Sequence, residues 1–251
     1  MNYEQLENFL DEDLNWRKRE ITELLFLAKE SNSIVVFKSM ILLLYAHWEG
    51  YIKKSSKIYI KYIVESRTPL KKLSSNFKAA ALKGNINRCI DTNNSSNLAN
   101  ELSFINKYLR LEDKKFRISI DPDDEFDNSI IDTQSNLSPK ILKNIYGILG
   151  IQFKDALATR GNYIDRNLLH VRNTIGHGGK YDNDSEGDLI LEISDIERLK
   201  NVIILIIDNF RDELLEYAYK EYYLISNEKE RIEYDSTKEK ELNKLLESYE
   251  N

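Results

Sequence analysis

Cysteine, proline and glycine are all scarce in this chain. Of 251 residues, one is cysteine (Cys89), three are proline and nine are glycine. A lone cysteine excludes an intramolecular disulfide and any zinc site built on cysteine pairs. So little proline and glycine, beside abundant Leu, Ile, Lys, Glu and Tyr, argues against a turn-rich β fold and for helices. Long apolar runs are missing too. Residues 40–46 and 202–207 are the longest, far short of the roughly 20 residues that cross a bilayer. Residues 1–7 lack the basic start and apolar stretch of a secretory signal. These absences predict a soluble, cytoplasmic protein with no membrane partner. There is also no histidine pair at i and i+4, no aspartate grouping with ligand spacing, and no Walker or Rossmann glycine loop, so no metal and no cofactor is expected. The acidic stretch 121–125 reads as a solvated turn.

Charge is present but unevenly spread. The chain carries a net −6, which alone speaks against a nucleic-acid partner. By segment, however, residues 51–90 carry +9 and residues 140–180 carry +5, while 181–251 carry −11. Local basic surface, not net charge, sets phosphate attraction within a Debye length of roughly 8 Å. Lys53, Lys54, Lys57 and Lys61 are therefore candidate RNA-binding residues, with a solvated helix face as the alternative.

The apolar spacing predicts helices. Leu6, Leu10, Leu14, Ile21, Leu24, Leu25 and Ala28 recur at three- and four-residue intervals over 4–30. A second, more apolar helix follows over about 34–65 and pairs antiparallel with the first. Regularity falls over about 66–137, which reads as an insertion with short helices near 70–83 and 98–109, a polar loop at 91–97 and a strand at 116–120. Ser138-Pro139 is a helix start, with serine as N-cap and proline where its missing N–H costs nothing. Residues 189–193 alternate like a strand, leaving room for one short β hairpin. Ser194-Asp195-Ile196-Glu197 is a capping box that opens a helix to about Leu224. Residues 226–251 form a charged C-terminal tail, expected as a loose or partner-dependent helix. The fold class is mainly all-α: one helical domain over residues 1–225, carrying the insertion.

The densest chemistry lies in His170-Val171-Arg172-Asn173-Thr174-Ile175-Gly176-His177-Gly178-Gly179. On a helix over about 164–176, Ile164, Leu168, Val171 and Ile175 form the core stripe, and Arg172, Asn173 and His177 fall outside it. A fixed cation, an amide and a titratable base are what transesterification of an RNA phosphodiester needs. Arg172 would stabilise charge on the phosphate, His177 would exchange a proton with the 2′-OH or the leaving oxygen, and Asn173 would orient one of them. At about 100° per residue Arg172 and His177 stand roughly 140° apart. Convergence therefore needs unwinding at Gly176 or a second copy of the chain. The bland alternative is a histidine capping the helix end and an arginine in a surface ion pair. His170 reads as a surface or dimer residue.

Arg172-x4-His177, with a polar residue after the arginine, resembles the signature of the HEPN superfamily. Two further stretches are similar to its prokaryotic MAE-like branch: Leu43-Leu44-Tyr45-Ala46-His47-Trp48-Glu49-Gly50-Tyr51-Ile52-Lys53, and Ile131-Asp132-Thr133-Gln134-Ser135-Asn136-Leu137 running into Leu142-Lys143-Asn144-Ile145 and Leu149-Gly150. The resemblance implies an up-and-down bundle of four to five helices, a homodimer with a shared site, and metal-independent endoribonuclease activity in a defence or toxin–antitoxin system, with RNA and a cognate antitoxin or defence protein as partners. It also implies Arg172, His177 and Asn173 as the active residues. His47 and Glu49 on the second helix are candidate supporting residues, with a buried hydrogen-bonded pair as the alternative. A non-catalytic HEPN module that binds RNA, a nucleotide or a protein is the competing function, and a purely structural helical adaptor is a third.

Overall fold

A computed structural model describes residues 1–90, 98–179 and 192–250. Among these the chain is helical, with two isolated antiparallel bridges, Pro69–Lys115 and Leu73–Leu224, and no sheet. The expected polar loop at 91–97, and the expected strand up to residue 191, lie outside the described residues. Ile193, assigned to that strand, begins a helix instead.

Helix α1 (Tyr3–Ser31) starts with a capping box in which Asn2 Oδ1 accepts from Gln5 N–H at 2.8 Å. It ends at Asn32, whose φ of 44° turns the chain back. Helix α2 (Ile34–Glu65) then runs antiparallel to α1 and is the central element. Its buried Met40, Leu44, Trp48, Tyr51, Tyr59 and Ile63 fill the core, because apolar residues recur around most of its circumference. Helix α9 (Ile193–Tyr219) completes the layer against α1 and α2. The residue at its N-cap is Glu192, with no side-chain cap, so the capping box expected at Ser194 does not form; the helix also stops at Tyr219 rather than Leu224. Helix α5 (Pro139–Leu149) begins as its sequence predicts, with Ser138 Oγ accepting from Ile141 N–H at 3.3 Å, and Gly150 closes it at φ 74°.

The irregular region belongs to the core more than an insertion would. Leu70, Leu73, Phe77, Phe116, Ile131 and Leu137 are all at most 2 % exposed. Helices α3 (Ser75–Ile90) and α4 (Ala99–Leu111) pack on each other. Residues 116–120 form no strand: beyond the Phe116 N–H bond to Thr68 O no ladder continues, so the expected strand is corrected to an irregular strap held by the Phe116 side chain.

The tail is also firmer than its composition suggests. Helix α10 (Glu228–Glu250) packs on α9 and on α6 (Asp155–Thr159), with Leu242 and Leu246 fully buried. Lys154 Nζ, with no exposed side-chain surface, sits 2.6 Å from Glu213 Oε1 on α9 and 3.0 Å from Asp235 Oδ1 on α10. Tyr217 donates to Asp235 at 2.8 Å and Asn209 to Glu213 at 3.1 Å. Burial pushes the Glu213 carboxyl above its ordinary range, against the pull of Lys154.

Candidate functional site

The motif sits on a helical stretch of three parts: α7 (Gly161–Ile164), a π turn (Asp165–His170) and α8 (Val171–Gly176). The expected core stripe is present, since Ile164, Leu168 and Val171 are buried and Ile175 half-buried. The wider π turn adds Asn167 and Leu169 to the buried face. Bulges of this kind recur at functional sites, because they re-aim the side chains that follow.

The end of α8 is closed by backbone. Gly179 N–H donates to Thr174 O at 2.8 Å and Gly178 N–H to Ile175 O at 3.0 Å, with Gly178 at φ 76°, the pairing of a Schellman cap. A Cβ at Gly179 would lie 2.9 Å from Thr174 O, so the glycine pair serves this closure. The helix runs intact through Gly176; it does not unwind there. His177 is the C-cap residue, exposed, and its imidazole makes no hydrogen bond to a described residue.

Arg172 is held differently. Its guanidinium lies 4.2 Å from the centroid of the Tyr45 ring, a cation–π arrangement. Nη1 donates to Asn173 Oδ1 at 2.6 Å and Nη2 to Ser135 O at 3.4 Å. Asn173 thus orients the arginine rather than the histidine. The platform is itself fixed: Tyr45 is 3 % exposed and its hydroxyl accepts from Leu137 N–H at 2.9 Å, while Trp48 Nε1 donates to Leu137 O at 3.4 Å. Gln134 and Ser135, which form the turn that reaches Arg172, both have left-handed backbone, at φ 53° and 58°. Two consecutive non-glycine residues in that region carry strain, and such strain gathers at functional sites. The three stretches that resemble the HEPN branch therefore meet at one guanidinium.

Glu49 and His47 part company. Glu49, one turn beyond Tyr45, lies on the arginine side: burial first, and then the Glu49 carboxylate, push the Tyr45 hydroxyl well above the ordinary phenol range. Glu49 Oε1 is buried without an aligned hydrogen bond. His47 faces α1 instead. Its Nδ1 is 3.5 Å from Arg17 Nη1, and its Nε2 is 3.1 Å from Glu20 Oε2 without hydrogen-bond alignment. Arg17 in turn donates to Asp13 at 2.9 Å. Gly50 makes room for this cluster, since a Cβ there would lie 2.6 Å from Arg17 Nη1. The two residues are thus not a hydrogen-bonded pair. Burial, then Arg17, lower the His47 pKa from its ordinary value, outweighing Glu20.

The lysines of α2 are engaged with the acidic turn. Lys53 Nζ donates to Glu125 O and Lys57 Nζ to Asp124 O, each at 2.7 Å, and Lys54 lies 3.2 Å from Asp123 Oδ1. Lys57 is 2 % exposed, and burial lowers its pKa. Lys61 lines a cavity with Phe9, Trp16 and Lys54. The turn read as solvated is therefore fastened to α2 by lysines four residues apart. No group of three or more acidic, histidine or cysteine residues with metal-site geometry occurs among the described residues, and none of the described helices is long and apolar enough to cross a membrane.

The described residues form a helical module with an arginine, its amide neighbour and a histidine at the end of one bulged helix. The family model for MAE_28990-like HEPN matches residues 6–223, and the chain belongs to that family, whose modules are often nucleases. No curated protein and no solved structure matches the chain.

Proposed function

We infer that this protein is a metal-independent endoribonuclease whose active groups are Arg172, Asn173 and His177. The observation that carries the reading is the Arg172 cradle: ring, amide and carbonyl fix the guanidinium at the surface, where a phosphate can meet its free N–H groups. His177 exchanges a proton with the ribose 2′-OH or the leaving oxygen. As the 2′-oxygen bonds to phosphorus the P–O5′ bond breaks, leaving a 2′,3′-cyclic phosphate and a 5′-hydroxyl. Arg172 stabilises the charge that builds on the phosphate oxygens. Since the helix is intact between them and the two side chains do not touch, the reading requires that His177 be supplied to Arg172 by a second copy of the chain.

Purified protein is expected to cut RNA, and not DNA, in the presence of EDTA. Arg172→Ala and His177→Ala are each expected to slow cleavage by about 10²- to 10⁴-fold. Full cleavage by both variants removes this mechanism. A cellular role in defence or in a toxin–antitoxin pair predicts growth arrest on induction that His177→Ala relieves. The separation of Arg172 and His177 within one chain favours a second reading, a non-catalytic module that binds RNA, a nucleotide or a protein. It is the reading that stands if the wild-type protein binds RNA and leaves it whole.

A further inference from the structure

The segments that leave α2 and α4 lie side by side. Leu70 N–H donates to Lys114 O at 2.9 Å, Lys71 N–H to Glu112 O at 2.7 Å and Phe116 N–H to Thr68 O at 2.8 Å. Phe116 pins this double strand to the core, 1 % exposed and edge-on to Phe77 at 5.7 Å between ring centroids. What remains outside is charge. Arg67, Lys71, Lys72, Lys114, Lys115 and Arg117 are all exposed. Against six cations the two segments hold only Glu112 and Asp113, and Asp113 is taken by Lys71 at 2.5 Å. The other five cations have no carboxylate partner among the described residues.

This is the reverse of α2, where three lysines are bound to the acidic turn. Unlike Lys53, Lys54 and Lys57 of α2, five of the six ridge cations are therefore open to an outside anion. Arg67 stands at the turn between α2 and the ridge. Its φ is 58°, a backbone region where glycine or asparagine sits with less strain.

We propose that this ridge binds the sugar–phosphate backbone of RNA, apart from Arg172. The proposal rests on RNA being the ligand of the site above. Cations without an apolar centre suit a polyanion, whereas a protein partner needs a buried apolar core to its interface. No large hydrophobic side chain of residues 66–72 or 112–118 is exposed. Grooves of about 530 and 640 Å³ run on either side, sharing Lys115, Phe116 and Arg117 as a common wall. Along α2, Tyr45 and the ridge end stand about 30 Å apart at 1.5 Å per residue.

The test is binding without cleavage. His177→Ala protein is titrated against a labelled single-stranded RNA of about 20 nucleotides over a range of salt, with and without Lys114→Gln, Lys115→Gln and Arg117→Gln together. Loss of three phosphate contacts is expected to raise Kd on the order of 50-fold at 0.15 M salt and to flatten the plot of log K against log salt by about 2. The melting temperature should not move, because all three side chains are exposed. An unchanged Kd and slope overturns the proposal. So does displacement of the RNA by poly-glutamate at equal charge, which would assign the ridge to an acidic protein. A protein that binds RNA through the ridge and never cuts it loses the nuclease reading alone; one that cuts, with the triple variant unaltered, loses the ridge alone.

Discussion

Tyr45 serves two contacts that a mutation can separate. Its ring carries the Arg172 guanidinium and its hydroxyl accepts from the buried Leu137 N–H. Tyr45→Phe keeps the ring and strands the N–H, for an expected loss of about 1–3 kcal/mol in urea unfolding. Tyr45→Leu loses both, and its cleavage rate should fall below that of the phenylalanine protein at equal folded fraction. Equal rates would mean that the stack does not position Arg172. Two strained residues make the opposite prediction. At Gln134 and Ser135 glycine adopts positive φ freely, so Gln134→Gly is expected to stabilise by roughly 0.5–1 kcal/mol, seen as a higher melting temperature. His47 gives the molecule a pH dependence. With Arg17, Asp13 and Glu20 around it and burial dominant, its folded pKa lies below the unfolded value. The folded state then resists the proton that the unfolded chain accepts. Stability from this group is complete above about pH 6.5 and declines as pH falls toward the folded pKa. Urea midpoints of wild type and His47→Gln between pH 7.5 and 5 should converge on the acid side; parallel curves would contradict the assignment.

At the scale of elements, the sequence made α1, α2, α5 and the charge-rich C-terminal helix legible through periodicity and caps. Leu6 to Ala28 repeat at helical intervals, and Ser138, Pro139 and Gly150 mark both ends of α5. Tertiary partners decided what it missed. Nothing local in Asp165 to His170 announces a π turn, because the extra residue is absorbed where Asn167 and Leu169 find a buried face. Likewise α10 reads as loose, since its few apolar residues are spaced by charge; Asp235 is buried against Lys154 and Tyr217 from distant parts of the chain, and Leu242 is buried too. Arg172, Asn173 and His177 were visible as a motif, but Tyr45 was not singled out, as a tyrosine on an apolar helix reads as core. Its spacing of four from Glu49 was the available signal. The α10 clamp carries its own prediction. Lys154→Met leaves Glu213 and Asp235 buried without their cation and should cost about 3–5 kcal/mol in denaturant unfolding, whereas the exposed Lys71→Met should change stability little.

For the whole molecule, the question is whether one chain makes a complete site. Within a chain, α8 runs unbroken from Arg172 through Gly176, and the Schellman closure at Gly178 and Gly179 holds His177 at the helix end. Bringing the pair together in cis would cost that closure, so the proposed mechanism assigns the pair to a seam between two copies. A mixing experiment reads the difference directly. In a two-fold dimer with sites made in trans, neither Arg172→Ala nor His177→Ala homodimers hold an intact site, whereas each mixed dimer holds one intact site and one doubly altered. With free exchange half the dimers are mixed, so equal amounts of the two inactive proteins should recover about a quarter of wild-type cleavage. A pair built in cis predicts no recovery at any ratio, even when subunit exchange is demonstrated by labelled chains. Such an outcome would send His177 back to the role of a helix-end residue and leave Arg172 in its cradle as a phosphate-binding group.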